Sequence, residues 1–125
     1  MADEKYQFCK IFLRTADTHA VMELLSAAFD ARFERKSLDL VHAMAEVLKN
    51  PDAGGAEDFV GWPIFVEVEA EPDADDASVV EITSKIVREL WDADIPAVAA
   101  CDYEEELPWG GGLHRLTEKD RTDDQ

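Results

Sequence analysis

The chain has 125 residues, 29 of them acidic and 12 basic, for a formal net charge of −17. That length predicts one domain able to bury roughly two thirds of its unfolded surface without staples. So negative a chain is repelled by nucleic acid and by anionic membranes, which are polyanions, so neither is an expected partner and a basic protein is. A halophilic origin is another source of such acidity.

Cys9 and Cys101 are too few for a disulfide framework, and both are expected as small buried thiols in a reducing compartment. The opening Met1-Ala-Asp-Glu-Lys5 is charged where a secretory leader needs an apolar run. No segment approaches the length of a membrane span, and a cytoplasmic location is expected.

Residues 6–14 predict a first strand, with Cys9, Ile11 and Leu13 on one face and Phe8, Lys10, Phe12 and Arg14 on the other. Capping residues in Thr15-Ala-Asp-Thr18 precede a helix to about Asp30. Its stripe is Ala20, Val21, Leu24, Leu25, Ala28 and Phe29. His19 lies off that stripe, in the first turn, and reads as solvated.

Residues 37–50 fit two patterns. As a helix, Ser37 caps a stripe of Leu40, Val41, Met44, Val47 and Leu48 that Asn50-Pro51 ends. As a strand, Val41, Ala43, Ala45 and Val47 alternate with Leu40, His42, Met44 and Glu46. The strand is preferred, because Pro51 to Asp58 with Gly54-Gly55 makes a hairpin-like link into the next strand.

That next strand carries the strongest alternation in the chain. Ile64, Val66, Val68 and Ala70 face one way, and Phe65, Glu67, Glu69 and Glu71 the other. One side is core and the other wet, as in an antiparallel sheet with helices on a single face. Lys10 and Arg14 are expected beside Glu67 and Glu69, where opposite charges across strands add a few tenths to about 1 kcal/mol. Ser78-Val-Val-Glu81 matches a capping box and opens a second helix ending near Asp92. Small residues then make a last strand, 97–103.

Taken together, the elements predict a βαββαβ ferredoxin-like sandwich of the α+β class: a four-stranded antiparallel sheet with two helices on one face. One domain is expected over 1–109. Three consecutive acids, Pro108 and three glycines describe a chain leaving the sheet, with a flexible acidic and polar tail over 110–125.

No glycine-rich nucleotide loop, P-loop or His-Glu-x-x-His pattern is present, so no cofactor and no catalytic residue is expected. Asp73, Asp75 and Asp76 cluster without the spacing of a calcium loop and read as a solvated loop. The acidic run Asp102 to Glu106 also fits a charged edge that blocks aggregation. A cysteine enzyme built on Cys101 lacks any histidine that the sequence places beside it.

Two stretches carry a resemblance. Trp62-Pro-Ile-Phe-Val-Glu-Val-Glu and Val98-Ala-Ala-Cys-Asp-Tyr-Glu-Glu-Glu-Leu-Pro108 resemble a family of small bacterial proteins ending in Ala-Cys-Asp-aromatic-Glu-x-x-Leu-Pro. Members of that kind look like immunity proteins of toxin systems. The resemblance implies a small cytosolic chain that binds and silences a cognate toxin, and it transfers no active site.

The function expected is non-enzymatic binding of a basic toxin or other basic protein. Asp102, Tyr103, Glu104, Glu105, Glu106 and Trp109 are the foremost contact residues, with Glu67, Glu69 and Trp62 as further ones. Carboxylates steer a basic partner and aromatics anchor it. The alternative is a small-molecule-binding or regulatory module that forms a homodimer by pairing its open sheet faces.

Overall fold

Alternation along β1 (Phe8–Leu13) turns Cys9, Ile11 and Leu13 to one side, where all three are buried. A computed structural model describes residues 4–55 and 58–113. After β1 come α1 (Thr18–Phe29), β2 (Ser37–Asp39), β3 (Ala43–Lys49), β4 (Ile64–Ala70), α2 (Asp76–Asp92) and β5 (Ala97–Ala100). Short 3-10 turns lie at Glu4–Tyr6, Phe59–Gly61 and Glu104–Glu106, and Pro108–Gly112 is a turn with left-handed backbone at Trp109, Gly110 and Gly111. The class is α+β, with the five strands in one antiparallel sheet ordered β2-β3-β4-β1-β5.

The sheet thus has five strands where four were expected, and the extra one comes from residues 37–50. This stretch is neither a helix nor one strand but a hairpin: the Leu40 amide donates to the Ala43 carbonyl at 2.8 Å, and Val41 stands exposed at the tip. Helical propensity here is overridden by pairing. β3 matches β4 from Ala43↔Ala70 to Lys49↔Ile64, which turns Ala43, Ala45 and Val47 into the core.

Both helices bury their stripes on the same side of the sheet. Val21 and Leu25 of α1 and Val79, Ile86, Val87 and Leu90 of α2 join Ile11, Leu13, Val66 and Val68 in one buried cluster. Each side chain of this size contributes about 1.5–3 kcal/mol when fully buried. Asp17 caps α1, its carboxylate accepting from the Ala20 amide at 3.0 Å. Asp30 closes that helix in a left-handed conformation.

The N-cap of α2 is Asp75 and not Ser78. The Asp75 carboxylate accepts from the Ser78 amide at 2.7 Å, which places Ser78 inside the first turn. Such a cap contributes about 1 kcal/mol. The bond to the Ser78 amide also holds the Asp75 carboxyl below its ordinary range. One member of the Asp73, Asp75, Asp76 group therefore has a structural task, and its neighbour Asp76 opens the helix.

β5 is shorter than its expected 97–103, ending at Ala100. From there to residue 113 the chain stays with the domain: Tyr103, Leu107, Gly111 and Gly112 are all buried. The remainder of the expected tail, 114–125, lies outside the described residues. Among the described residues, no helix is long and apolar enough to cross a membrane.

Candidate functional site

The acidic segment after β5 has a buried underside. Tyr103 sits 1% exposed and Leu107 4% exposed, anchoring the two ends of the Glu104–Glu106 turn. The chain then returns over β5. A side-chain carbon added at Gly111 would meet the Ala99 carbonyl oxygen at 2.8 Å, and one at Gly112 would overlap the Ala97 carbonyl and press on the Trp91 ring. Only glycine permits so close an approach in left-handed backbone.

This packing turns the other residues outward. Asp102 and Glu105 are exposed and form no ion pair among the described residues. Trp109 is half exposed at 51% and takes φ 57°. Left-handed backbone costs a non-glycine residue about 1–2 kcal/mol, so a bulky exposed side chain held there stores local strain.

Two carboxylates of the run are engaged within the domain. Glu106 accepts from the Tyr6 hydroxyl at 2.7 Å and pairs with Lys5 at 3.5 Å. The carboxylate bond holds the Tyr6 hydroxyl above its usual range. Tyr6 in turn stacks on Tyr103, with ring centres 5.3 Å apart. The Glu104 carboxylate accepts from the Cys101 amide at 3.4 Å. Of the six foremost contact residues, Tyr103 is therefore a core residue, while Asp102, Glu105, Glu106 and Trp109 form the exposed edge.

Glu67 and Glu69 occupy a different surface, the sheet face opposite the helices. Side chains in register there form rows. One row runs Ser37, Glu46, Glu67, Lys10 and Ala100, and the next runs Asp39, Met44, Glu69 and Phe8. Glu67 lies between Lys10 and another acid, Glu46, and like charges directly opposite destabilise a sheet slightly. The Lys10 ammonium is 4.7 Å from the centre of the Phe65 ring.

Arg14 does not reach Glu69. In the antiparallel register Glu69 faces Phe8, while Arg14 comes after Leu13 at the opposite end of the strand pair. Lys10 does stand opposite Glu67 in register but forms no ion pair with it among the described residues, so the neutralisation expected for this face is not made by Arg14 and is reduced to the proximity of Lys10.

Trp62 belongs to an aromatic cover over one end of that face. The turn at Phe59–Gly61 lays Phe59 against Phe12, with centres 5.6 Å apart, and Trp62 against Phe59 at 6.4 Å. Phe12 and Phe65 are buried beneath it. Asn50 ties the loop down: its amide group donates to the carbonyls of Val60 and Trp62 at 2.9 and 2.8 Å, and its oxygen accepts from the Asp52 amide at 2.9 Å. Between loop and sheet lies a depression of ≈ 370 Å³ lined by Lys10, Phe12, Asn50 and Phe65 among others.

His19 is exposed and pairs with Glu23 at 2.9 Å, as its place off the helix stripe implied. Among the described residues, no group of three His, Cys, Asp or Glu stands close enough to hold a metal ion. Sequence reasoning did not single out Thr83 and Cys9 as polar neighbours of Tyr103, although Thr83 on the buried stripe of α2 was a polar group needing a partner. Comparison with protein-family models, with characterised proteins and with solved structures finds no match for this chain.

Proposed function

We propose that this protein is a cytoplasmic, non-enzymatic binding protein that covers a basic partner, of the kind an immunity protein makes with its toxin. The observation that carries the reading is the edge built after β5. Exposed Asp102, Glu105 and Glu106 and a half-exposed, left-handed Trp109 stand on a buried base of Tyr103, Leu107, Gly111 and Gly112. A pre-ordered edge loses little conformational entropy on binding. Its carboxylates would steer a cationic surface, and the indole would supply the desolvated anchor.

The strand order supports a finer reading of the fold. Without the short β2, the order β3-β4-β1-β5, with a helix after β1 and another after β4, is what a ferredoxin-like sandwich with one added edge strand would have. The stretch Ala100 to Pro108, which carries the resemblance, spans the turn from β5 into the edge, and presenting that surface would be its common task.

The test is co-purification with the product of the neighbouring gene, followed by titration of wild type and of the combined variant Asp102→Lys, Glu105→Lys, Trp109→Ala. These side chains make no bonds on which the described fold depends. Binding should fall at least about tenfold and become less sensitive to salt. Unchanged affinity at low ionic strength would remove this edge from the interface.

A further inference from the structure

The two cysteines lie far apart in sequence and are neighbours in space. β1 pairs with β5 from Lys10↔Ala100 to Leu13↔Ala97, and one step further along this register sets Cys9 opposite Cys101. The Arg14 amide donates to the Pro96 carbonyl at 3.0 Å, so that pair is a hydrogen-bonded one. β5 ends at Ala100, so Cys101 opens the bend just past the ladder; continued by one residue, the alternation would make the two cysteines a non-hydrogen-bonded pair, the kind whose α-carbons lie about 4.5 Å apart with side chains closest.

Both side chains point to the helix side of the sheet, where Cys9 joins the core and Cys101 packs against it. We propose that Cys9 and Cys101 form a reversible intramolecular disulfide across β1 and β5, with a small-molecule disulfide such as oxidised glutathione as the oxidant. The spacing of such a pair falls within what a disulfide spans, roughly 4.4–6.8 Å, so the bond requires no large movement of the strands, and thiol exchange with glutathione reverses it.

Accessibility sets the order of events. Cys9 is 1% exposed, whereas Cys101 is partly open to solvent. The neighbouring Cys9 thiol draws Cys101 below the ordinary thiol range, and Cys101 together with burial pushes Cys9 above it. Cys101 is therefore the attacking sulfur. Its thiolate displaces one glutathione thiolate and leaves a mixed disulfide on Cys101. Cys9 then attacks the Cys101 sulfur, and its proton goes to the second departing glutathione thiolate. The net change is two protein thiols oxidised to one disulfide and one glutathione disulfide reduced to two thiols.

Oxidation would tie edge strand β5 to the internal strand β1 immediately before Asp102. The purified full chain should be equilibrated, natively folded, in glutathione buffers of graded ratio, then alkylated and analysed by intact mass and peptide mapping. The expected product is a monomer lighter by two hydrogen atoms, carrying a Cys9 to Cys101 cross-link that dithiothreitol reverses. Cys9→Ser should hold glutathione on Cys101 as a lasting mixed disulfide, and Cys101→Ser should leave Cys9 unmodified until the protein is unfolded. A persistent glutathione adduct on the wild type, a cross-link between chains, or free thiols across the whole range would overturn the proposal. If Cys9→Ser does not fold, the wild-type peptide map decides alone.

Discussion

Thr83 of α2 and Tyr103 beyond β5 meet through their hydroxyls, 3.0 Å apart and fully enclosed. Thr83 already donates to the Val79 carbonyl at 2.9 Å, so it receives its second bond from Tyr103. Burial drives the Tyr103 hydroxyl well above the ordinary phenol range, and the folded protein therefore keeps a proton that the unfolded chain gives up above pH 10.0. Stability from this group is complete below that pH and is lost as the pH rises beyond it.

The variant Tyr103→Phe is expected to lose about 1 kcal/mol at neutral pH with the missing bond. Above the phenol range the wild type should lose a further contribution of about 1.4 kcal/mol per pH unit that the variant does not. The two urea midpoints should converge and then cross within about one pH unit. A gap that stays constant from pH 8 to 11.5 would mean that Tyr103 ionises as freely folded as unfolded.

Gly112 and Gly54 separate backbone preference from packing. Both have positive φ, 107° and 80°, but a methyl at Gly54 meets open space while one at Gly112 overlaps the Ala97 carbonyl and presses on Trp91. Gly54→Ala should cost about 1 kcal/mol and Gly112→Ala about 3 kcal/mol or more. Denaturant melts monitored by tryptophan fluorescence rank the two, and equal costs would contradict the tight docking of the glycine run on β5.

Asn50→Asp places a carboxylate against the carbonyls of Val60 and Trp62, which now receive its two amide bonds. A loss of about 3 kcal/mol at pH 7 is expected, since a buried charge then faces two acceptors. The introduced carboxyl would titrate above its unfolded value. Its penalty should therefore shrink from pH 7 toward pH 4 relative to wild type, and a pH-independent difference would reject this account.

Trp109→Gly relieves a left-handed residue whose side chain is half exposed. Net stabilisation of about 0.5 kcal/mol is expected after the greater chain entropy of glycine is counted. If the edge binds a basic partner through the indole, the same variant should weaken that complex at least about tenfold. A more stable protein with undiminished affinity would make the left-handed tryptophan a structural accident.

The patterns legible in the residues were those with a single dominant cause. Alternation in Ile64 to Ala70 placed β4 and the side to which each residue points, and the stripe from Val21 to Leu25 placed α1. Phe65, expected on the wet face, is buried because the Phe59–Gly61 turn covers that end of the sheet. Residues 37–50 carried two competing patterns. Leu40, Val41 and Met44 suit a helix locally, and the preferred strand is present as Ala43–Lys49, paired with a strand fifteen or more residues later; the break that splits off Ser37–Asp39 as a second strand had no signal in the alternation. The Ser78 cap went wrong for a smaller reason: Asp75 offered its carboxylate to the same helix three residues earlier.

For the acidic edge, the sequence by itself determined composition and order: a run of acids, an apolar anchor, a tryptophan and three glycines between β5 and the chain's end. Three glycines described flexibility, since a glycine in open solvent has the greatest freedom of any residue. Only the tertiary structure turned that freedom into a tight fit, because the carbonyls of Ala97 and Ala99 and the Trp91 ring leave no space for a side chain. The same long-range packing took Tyr103 from the edge into the core and set Cys9 across from Cys101, relationships between residues that no local pattern encodes.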